Sequence, residues 1–340
     1  MEKKKSNVQL MTALIVILAV LVLFSIAAGR FSISFSDFFG VIREKIYGGD
    51  TYEAAATVLF TSRIPRILAA VLIGCALSVS GAAYQGNFRN PMVSPDLLGA
   101  SAGAGFGAAL GFLLELPAVG VQFLSFSSGL ISVLITCMIS RRITGGQGDH
   151  SRILLVLSGI VVGALFQAFI SIVKYVADPF DTMPSIAFWL MGGLTYVTPS
   201  DTAFLAVPVL GGTAILFLMR WRINLLSFGT DEAESLGVPV KKYQGIIIVC
   251  ATFMTAASVA VGGMIGWTGL IVPHFARMFA GPDYKKMLPC AAVLGAAFML
   301  VVDDAARCLF PQELPIGILT AILGAPVFVA LLAKGKRGFL

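Results

Sequence analysis

Long apolar runs recur along this chain, separated by short polar stretches, and that alternation predicts helices that cross a lipid bilayer. Runs of spanning length lie near 8–29, 64–85, 97–114, 118–139, 153–176, 202–219, 244–263, 287–309 and 314–333; a transmembrane helix needs about 20 predominantly apolar residues. Two runs are shorter. Residues 269–280 are interrupted by Pro273 and read as a tilted or half-length span. Residues 185–194 are bracketed by Pro184 and Pro199 and read as a re-entrant or surface helix. The pattern predicts an all-α, polytopic transmembrane helical bundle of about ten spans, folded as a single domain over 1–340. Lys3, Lys4 and Lys5 ahead of the first run imitate a signal peptide. A signal core covers only about 7–15 residues, so the first run is expected to span.

Composition agrees with the pattern. Hydrophobic residues make up 57% and charged residues 12%, about half the roughly 25% charge of soluble domains. Basic residues then give the spans a direction. With ten crossings and both termini cytoplasmic, 17 of the 24 Lys and Arg residues fall inside. Arg30, Arg43, Lys45, Arg63, Arg66, Lys174 and Arg307 fall outside or near that interface. Omitting the 269–280 crossing would strand Lys334, Lys336 and Arg337 on the outside.

The chemistry available inside the bundle is sparse. Cys75, Cys137, Cys250, Cys290 and Cys308 are scattered, and His150 and His274 lie far apart, so neither a disulfide framework nor a metal site is expected. No catalytic cluster suggests an enzyme. Ionisable residues in spans usually mark ion or proton paths, yet Lys174, Asp303, Asp304 and Arg307 all sit towards outer ends. That argues against an ion-gradient-driven secondary transporter, which stays as the alternative from another class.

Glycine and short polar segments say more. Gly99, Gly103, Gly107 and Gly111 recur every four residues on one helix face. Small residues so spaced let helices approach closely; they equally suit a smooth wall along a solute path. Residues 78–81 followed by Asn90-Pro91, and 258–263 followed by Val272-Pro273, resemble inverted copies of one another, an arrangement common in transporters. Between about 222 and 243 a short helix is expected, with a capping-box-like start at Asp231 and Glu234, a stop at Gly237, and Pro239 beyond. Such a helix suits docking of a partner on the basic face. Arg63 and Arg66 flank Pro65 at a helix start, and Arg307 lies one turn from Asp303 and Asp304, with which it can pair.

Several of these stretches together resemble one family. Arg63-Ile64-Pro65-Arg66, Gly74, Ser80-Gly81, Asn90-Pro91 and the 94–99 run Ser-Pro-Asp-Leu-Leu-Gly are similar to permease subunits of ABC importers for iron chelates, haem and vitamin B12. So are 229–237, 266–274, Glu313-Leu314-Pro315-Ile316-Gly317 and the 324–328 run Gly-Ala-Pro-Val-Phe. The resemblance runs from about residue 10 to the C-terminus. It implies a type II ABC importer permease in a bacterial or archaeal plasma membrane, non-catalytic and without a cofactor of its own. Its implied partners are a second copy of the chain, two cytoplasmic ATP-binding subunits carrying ATP and Mg, an extracytoplasmic solute-binding protein and a metal-chelate substrate, with no nucleic acid. A ferric siderophore is the expected solute, with haem or vitamin B12 as the alternative. The chain has no G-x-x-x-x-G-K-[ST] phosphate loop, so ATP is expected on another polypeptide. By resemblance, Arg63, Arg66 and Arg307 dock acidic residues of the binding protein. Thr230, Asp231, Glu232, Glu234, Leu236 and Gly237 couple to the ATPase. Gly99, Gly103 and Gly107 line the path, and His150 and Ser151 form its gate; His150 departs from the small hydroxyl residues common at the gate of B12 permeases.

Overall fold

A computed structural model describes residues 2–29, 34–49, 51–144, 150–309 and 311–335, and the described residues contain helices and no strand. In order these are α1 (Glu2–Ala27), α2 (Phe35–Tyr47), α3 (Glu53–Thr57), a π-helical turn (Val58–Arg63), α4 (Ile64–Phe88) and a 3-10 turn (Pro95–Leu98). There follow α5 (Ala100–Leu113), α6 (Ala118–Thr144), α7 (His150–Val176), α8 (Thr182–Leu190), α9 (Pro199–Leu218) and α10 (Arg220–Phe228). The remaining helices are α11 (Thr230–Ser235), α12 (Val240–Gly262), α13 (Thr268–Ala280), α14 (Tyr284–Cys308) and α15 (Ile316–Gly335).

Among the described residues seven helices are long and apolar enough to cross a membrane: α1, the continuous Glu53–Phe88 helix, α6, α7, α9, α12 and α14. The shorter apolar helices α5 and α15, with α13, bring the total to the ten spans expected. At 1.5 Å per residue α13 is about 20 Å long, short of a bilayer core of about 30 Å. The non-helical stretch 263–267 precedes it, so the half-length reading fits. The 185–194 segment is α8, a short helix between α7 and α9 whose Ile186 is buried beside Ala109 of α5 and Val173 of α7.

The second span begins earlier than hydropathy suggests. Helix runs unbroken from Glu53, and the turn before α4 is π-helical. Pro65 lacks an N–H and its ring crowds the carbonyl four residues back; the widened turn ending at Arg63 absorbs that misfit, as π-turns do within α-helices.

The buried centre of the bundle is α4, nearly all of whose residues from Ala69 to Phe88 are enclosed by α9, α12, α13 and α14. Backbone contact makes this possible. A Cβ on Gly74 would lie 2.1 Å from the Gly295 carbonyl oxygen, and one on Gly295 would lie 2.0 Å from Ser78 Oγ. At Gly81 it would lie 1.8 Å from the Gly269 carbonyl oxygen. Small residues here substitute for the hydrophobic drive that lipid cannot supply between helices. In contrast α1 sits at the periphery, with Ile15, Val16, Val20, Leu23 and Phe24 exposed, as lipid-facing side chains are.

Candidate functional site

The two ends of α4 carry the polar structure. At its N-terminal end Arg63 and Arg66, three residues apart, share a helix face and meet the last turns of α14. Arg66 Nε donates to both carboxylate oxygens of Asp303 at 3.0 Å, and Nη2 lies 2.9 Å from Asp303 Oδ1. Arg66 Nη1 reaches Glu313 Oε2 at 2.9 Å, and Thr195 Oγ1 donates to the same oxygen at 2.7 Å. Arg307 Nε donates to Asp304 Oδ1 at 3.2 Å, while its Nη2 donates to Ser25 Oγ and the Ser25 carbonyl oxygen, both at 2.7 Å. Ser25 Oγ donates in turn to Asp304 Oδ1 at 2.7 Å. Arg63 donates to the backbone carbonyls of Ile26 and Ala27 in the last turn of α1. Two guanidiniums thus pair with three carboxylates and the third guanidinium holds the end of α1, tying α1, α4, α14 and the 311–315 loop into one network. A cavity of about 150 Å³ opens on it, lined by Gly29, Val58, Ser62, Arg63, Arg66, Arg307 and Glu313.

Arg63, Arg66 and Arg307, expected to dock acidic residues of a binding protein, are enclosed within the chain. Their exposures are 5%, 7% and 6%, and each guanidinium is held by the chain itself. A buried charge is tolerated only when paired and hydrogen-bonded, and α14 brings Asp303 and Asp304 to the same level of the bundle. The pairing of Arg307 with Asp304 is the one expected locally; that of Arg66 with Asp303, 237 residues apart, was not. Ser25 and Glu313 were not singled out as site residues, although Glu313 opens the Glu313-Leu314-Pro315 motif.

The glycine face packs closely. A Cβ on Gly103 would lie 2.4 Å from Ser132 Cβ, on Gly107 2.2 Å from the Leu124 carbonyl oxygen, and on Gly111 3.0 Å from Val121 Cα. Gly99 adopts φ +85° and its carbonyl accepts from Ser132 Oγ at 2.8 Å. Gly99, Gly103 and Gly107 therefore seat α5 closely on α6. His150 and Ser151 fall in the first turn of α7, and their side chains lie outside the described residues.

At the other end of α4, α10 and α11 form a platform. Gly86 lets Tyr284 and Ile223 come against α4. Asn224 locks α10 to α14: its Nδ2 donates to Asp283 Oδ1 at 2.6 Å and its Oδ1 accepts from the Tyr284 N–H at 2.8 Å. Burial would raise the Asp283 pKa, but hydrogen bonds from Asn224 and the Lys285 N–H, with the Lys285 and Lys286 charges, hold it below the usual carboxylate value. The predicted capping box does not form. Gly229 is the N-cap of α11 and no side chain caps it; the cap lies two residues earlier than the Asp231 reading placed it. The stop at Gly237 does form. Gly237, at φ +76°, donates its N–H to the Glu234 carbonyl, and Val238 donates to the Ala233 carbonyl at 3.0 Å, which is a Schellman closure. Ala233 faces the core, while Asp231, Glu232, Glu234 and Leu236 are exposed and Thr230 is half-buried. Phe228 and Leu236 leave large apolar surfaces uncovered beside these carboxylates.

A helical membrane permease, whose spans leave charge only at its two ends, is the class these features define. The chain belongs to the FecCD transport family, whose profile matches residues 17–334. It is 36% identical over 328 residues to the molybdate import system permease protein MolB of Haemophilus influenzae, covering 96% of this chain and 95% of that one. It is 35% identical over 331 residues to the hemin transport system permease protein HmuU of Yersinia pestis, covering 95% of each. A solved inward-facing conformation of a putative metal-chelate type ABC transporter superposes with a TM-score of 0.86 at 34% identity, over 96% of this chain and 99% of that one. The chain is a non-catalytic permease subunit, as its relatives are, and ATP hydrolysis falls to separate subunits.

Proposed function

We propose that this chain is the membrane-spanning subunit of an ATP-driven importer that carries a bulky metal chelate into the cytoplasm, a ferric siderophore first among them. The observation that supports this best is the α10–α11 platform: a short helix, pinned through Asn224, Asp283 and Ala233, that offers carboxylates and two large apolar side chains to a partner. A chain with such a platform and no phosphate loop calls for an ATP-binding subunit, with ATP and Mg, on that side. On this reading both termini are cytoplasmic, the membrane is a bacterial or archaeal inner membrane, and two copies of the chain enclose the path. His150 and Ser151 would then stand at the cytoplasmic mouth of α7. An extracytoplasmic binding protein delivers the solute at the Arg63–Arg307 end, meeting the cleft and its rim; acidic side chains there would compete with Asp303, Asp304 and Glu313 for the buried guanidiniums.

Haem and vitamin B12 are the alternative solutes, supported by the names of relatives such as the Yersinia pestis hemin permease. A metal oxyanion is a further reading, favoured by the 36% identity to the molybdate permease. Uptake of labelled ferric siderophore, hemin, cobalamin and molybdate in cells lacking the chain, with and without its restoration, separates these. Restored siderophore uptake supports the proposal; restoration of molybdate uptake alone sinks the chelate reading.

A further inference from the structure

Helix α2 stands apart from the bundle, and its sequence is segregated in three ways. Its inner face, Val41 with Phe38, packs on Ala55, Leu59 and Phe60, and through that cluster on Ile26, the last turn of α1, and Ile64, the first residue of α4. A second face carries Phe39, Ile42 and Ile46, spaced three and four residues apart on one stripe. Phe39 and Ile46 are 67% and 68% exposed, so nothing among the described residues covers them. Arg43 lies within about a quarter turn of that stripe at roughly 100° per residue, whereas Lys45 falls on the inner face, its Nζ 3.6 Å from the Phe60 ring centroid. The carboxylates do not border the stripe. Asp37 completes the capping box with Ser34, and Glu44 accepts from the Thr51 and Tyr52 N–H groups, both on the face opposite the stripe.

We infer that α2 is an interfacial helix that lies on the bilayer surface at the level where α1 ends, with Phe39, Ile42 and Ile46 sunk among the acyl-chain ends. Arg43 then reaches phosphate oxygens of the headgroups. Two observations select lipid as the occupant. Its inner face belongs to the cluster on which Ile26 packs, just after the exposed Leu23 and Phe24 of the peripheral span α1, which sets α2 at a membrane boundary. Arg43 borders the apolar stripe while Asp37 and Glu44 sit away from it, a distribution that suits headgroup phosphates, and a long basic side chain can extend to them while its stem covers apolar surface. This rests only on the membrane reading and is independent of the solute.

The full chain, carrying Phe39→Trp and reconstituted in phosphatidylethanolamine–phosphatidylglycerol vesicles, tests the idea; the parent, with Trp189, Trp221 and Trp267, supplies the background. Lipids brominated close to the headgroup should remove most of the added emission, more than lipids brominated deep in the chains, and aqueous iodide should leave it. An Ile46→Trp variant should behave alike, and Ser36→Trp should instead be quenched by iodide. If the emission added by Phe39→Trp is quenched by iodide and not by brominated lipid, the proposal is overturned. Protection from both quenchers overturns it equally, because a protein surface then covers the stripe. Elution as a single folded species screens the variants. A preparation unable to transport gives the same readout, so failure here is separable from failure of the proposed function.

Discussion

Asp303→Ala removes the one fully enclosed carboxylate of the charge network. Of its two acidic partners Arg66 then keeps Glu313, at 2.9 Å, while its own side chain is 9% exposed. Breaking a buried ion pair by deleting one partner costs about 3–5 kcal/mol, because the remaining charge stays buried. Glu313 is 26% exposed along its side chain and offsets part of this, so a loss near 3 kcal/mol is expected, roughly a hundredfold in the folding equilibrium. Replacing both partners, Arg66→Met with Asp303→Leu, should restore most of the loss, since hydrophobic pairs of similar size often substitute for buried ions without cost. Glu313 would then be solvated at the cleft. Reversible unfolding in mixed detergent micelles of the parent, Arg66→Met, Asp303→Leu and the double variant gives the four corners of a double-mutant cycle, with Asp303→Ala measured beside it. A loss below about 1 kcal/mol for Asp303→Ala, the range of an exposed pair, would refute the network as a structural tie. So would a double variant as unstable as the worse single one.

Other consequences follow from the same geometry. Arg66→Glu would set three carboxylates together, so lost folding, seen as aggregation on gel filtration, is expected in place of a selective docking defect. Gly107→Leu should destabilise the α5–α6 seam by about 1–3 kcal/mol, because overpacking forces backbone shifts where a Cβ already meets the Leu124 carbonyl; thermal melting checks it, and an unchanged melting point contradicts the seam. Glu234→Pro should abolish ATPase assembly or coupling, with a helix penalty of about 3 kcal/mol, while the spans remain folded; co-purification of the two subunits reads this directly. Gly237→Ala imposes a left-handed backbone on a residue with a Cβ, costing roughly 1–2 kcal/mol, and should weaken coupling more mildly than the proline variant.

Much of the membrane architecture was legible in hydropathy because a span needs an apolar run of fixed length, and a run such as 244–263 admits few other readings. Span starts were less so. Arg63 and Pro65 mark a boundary in sequence, yet the π-turn carries the helix through them. The arginines were legible but not all of their partners: local spacing proposes only pairs three or four residues apart, whereas Asp303 reaches Arg66 only after α4 and α14 pack through Gly74 and Gly295. The glycine run on α5 was equally compatible with packing and with a path, and its close fit on α6 shows only once the two helices are packed. In the coupling segment Gly237 was readable because a left-handed stop has a chemical signature. The start was not, since Gly229 has no side chain to signal a cap and Thr230 precedes the acids that imitated one.

The central claim is that transport is driven by ATP on a partner subunit docked at α10–α11. Proteoliposomes containing this chain, its ATP-binding subunit and its solute-binding protein, with labelled ferric siderophore supplied outside, test it most directly. Accumulation should require ATP and Mg on the α11 side and vanish with Glu234→Pro. Accumulation under an ion gradient without ATP, or undiminished in the proline variant, would contradict the account.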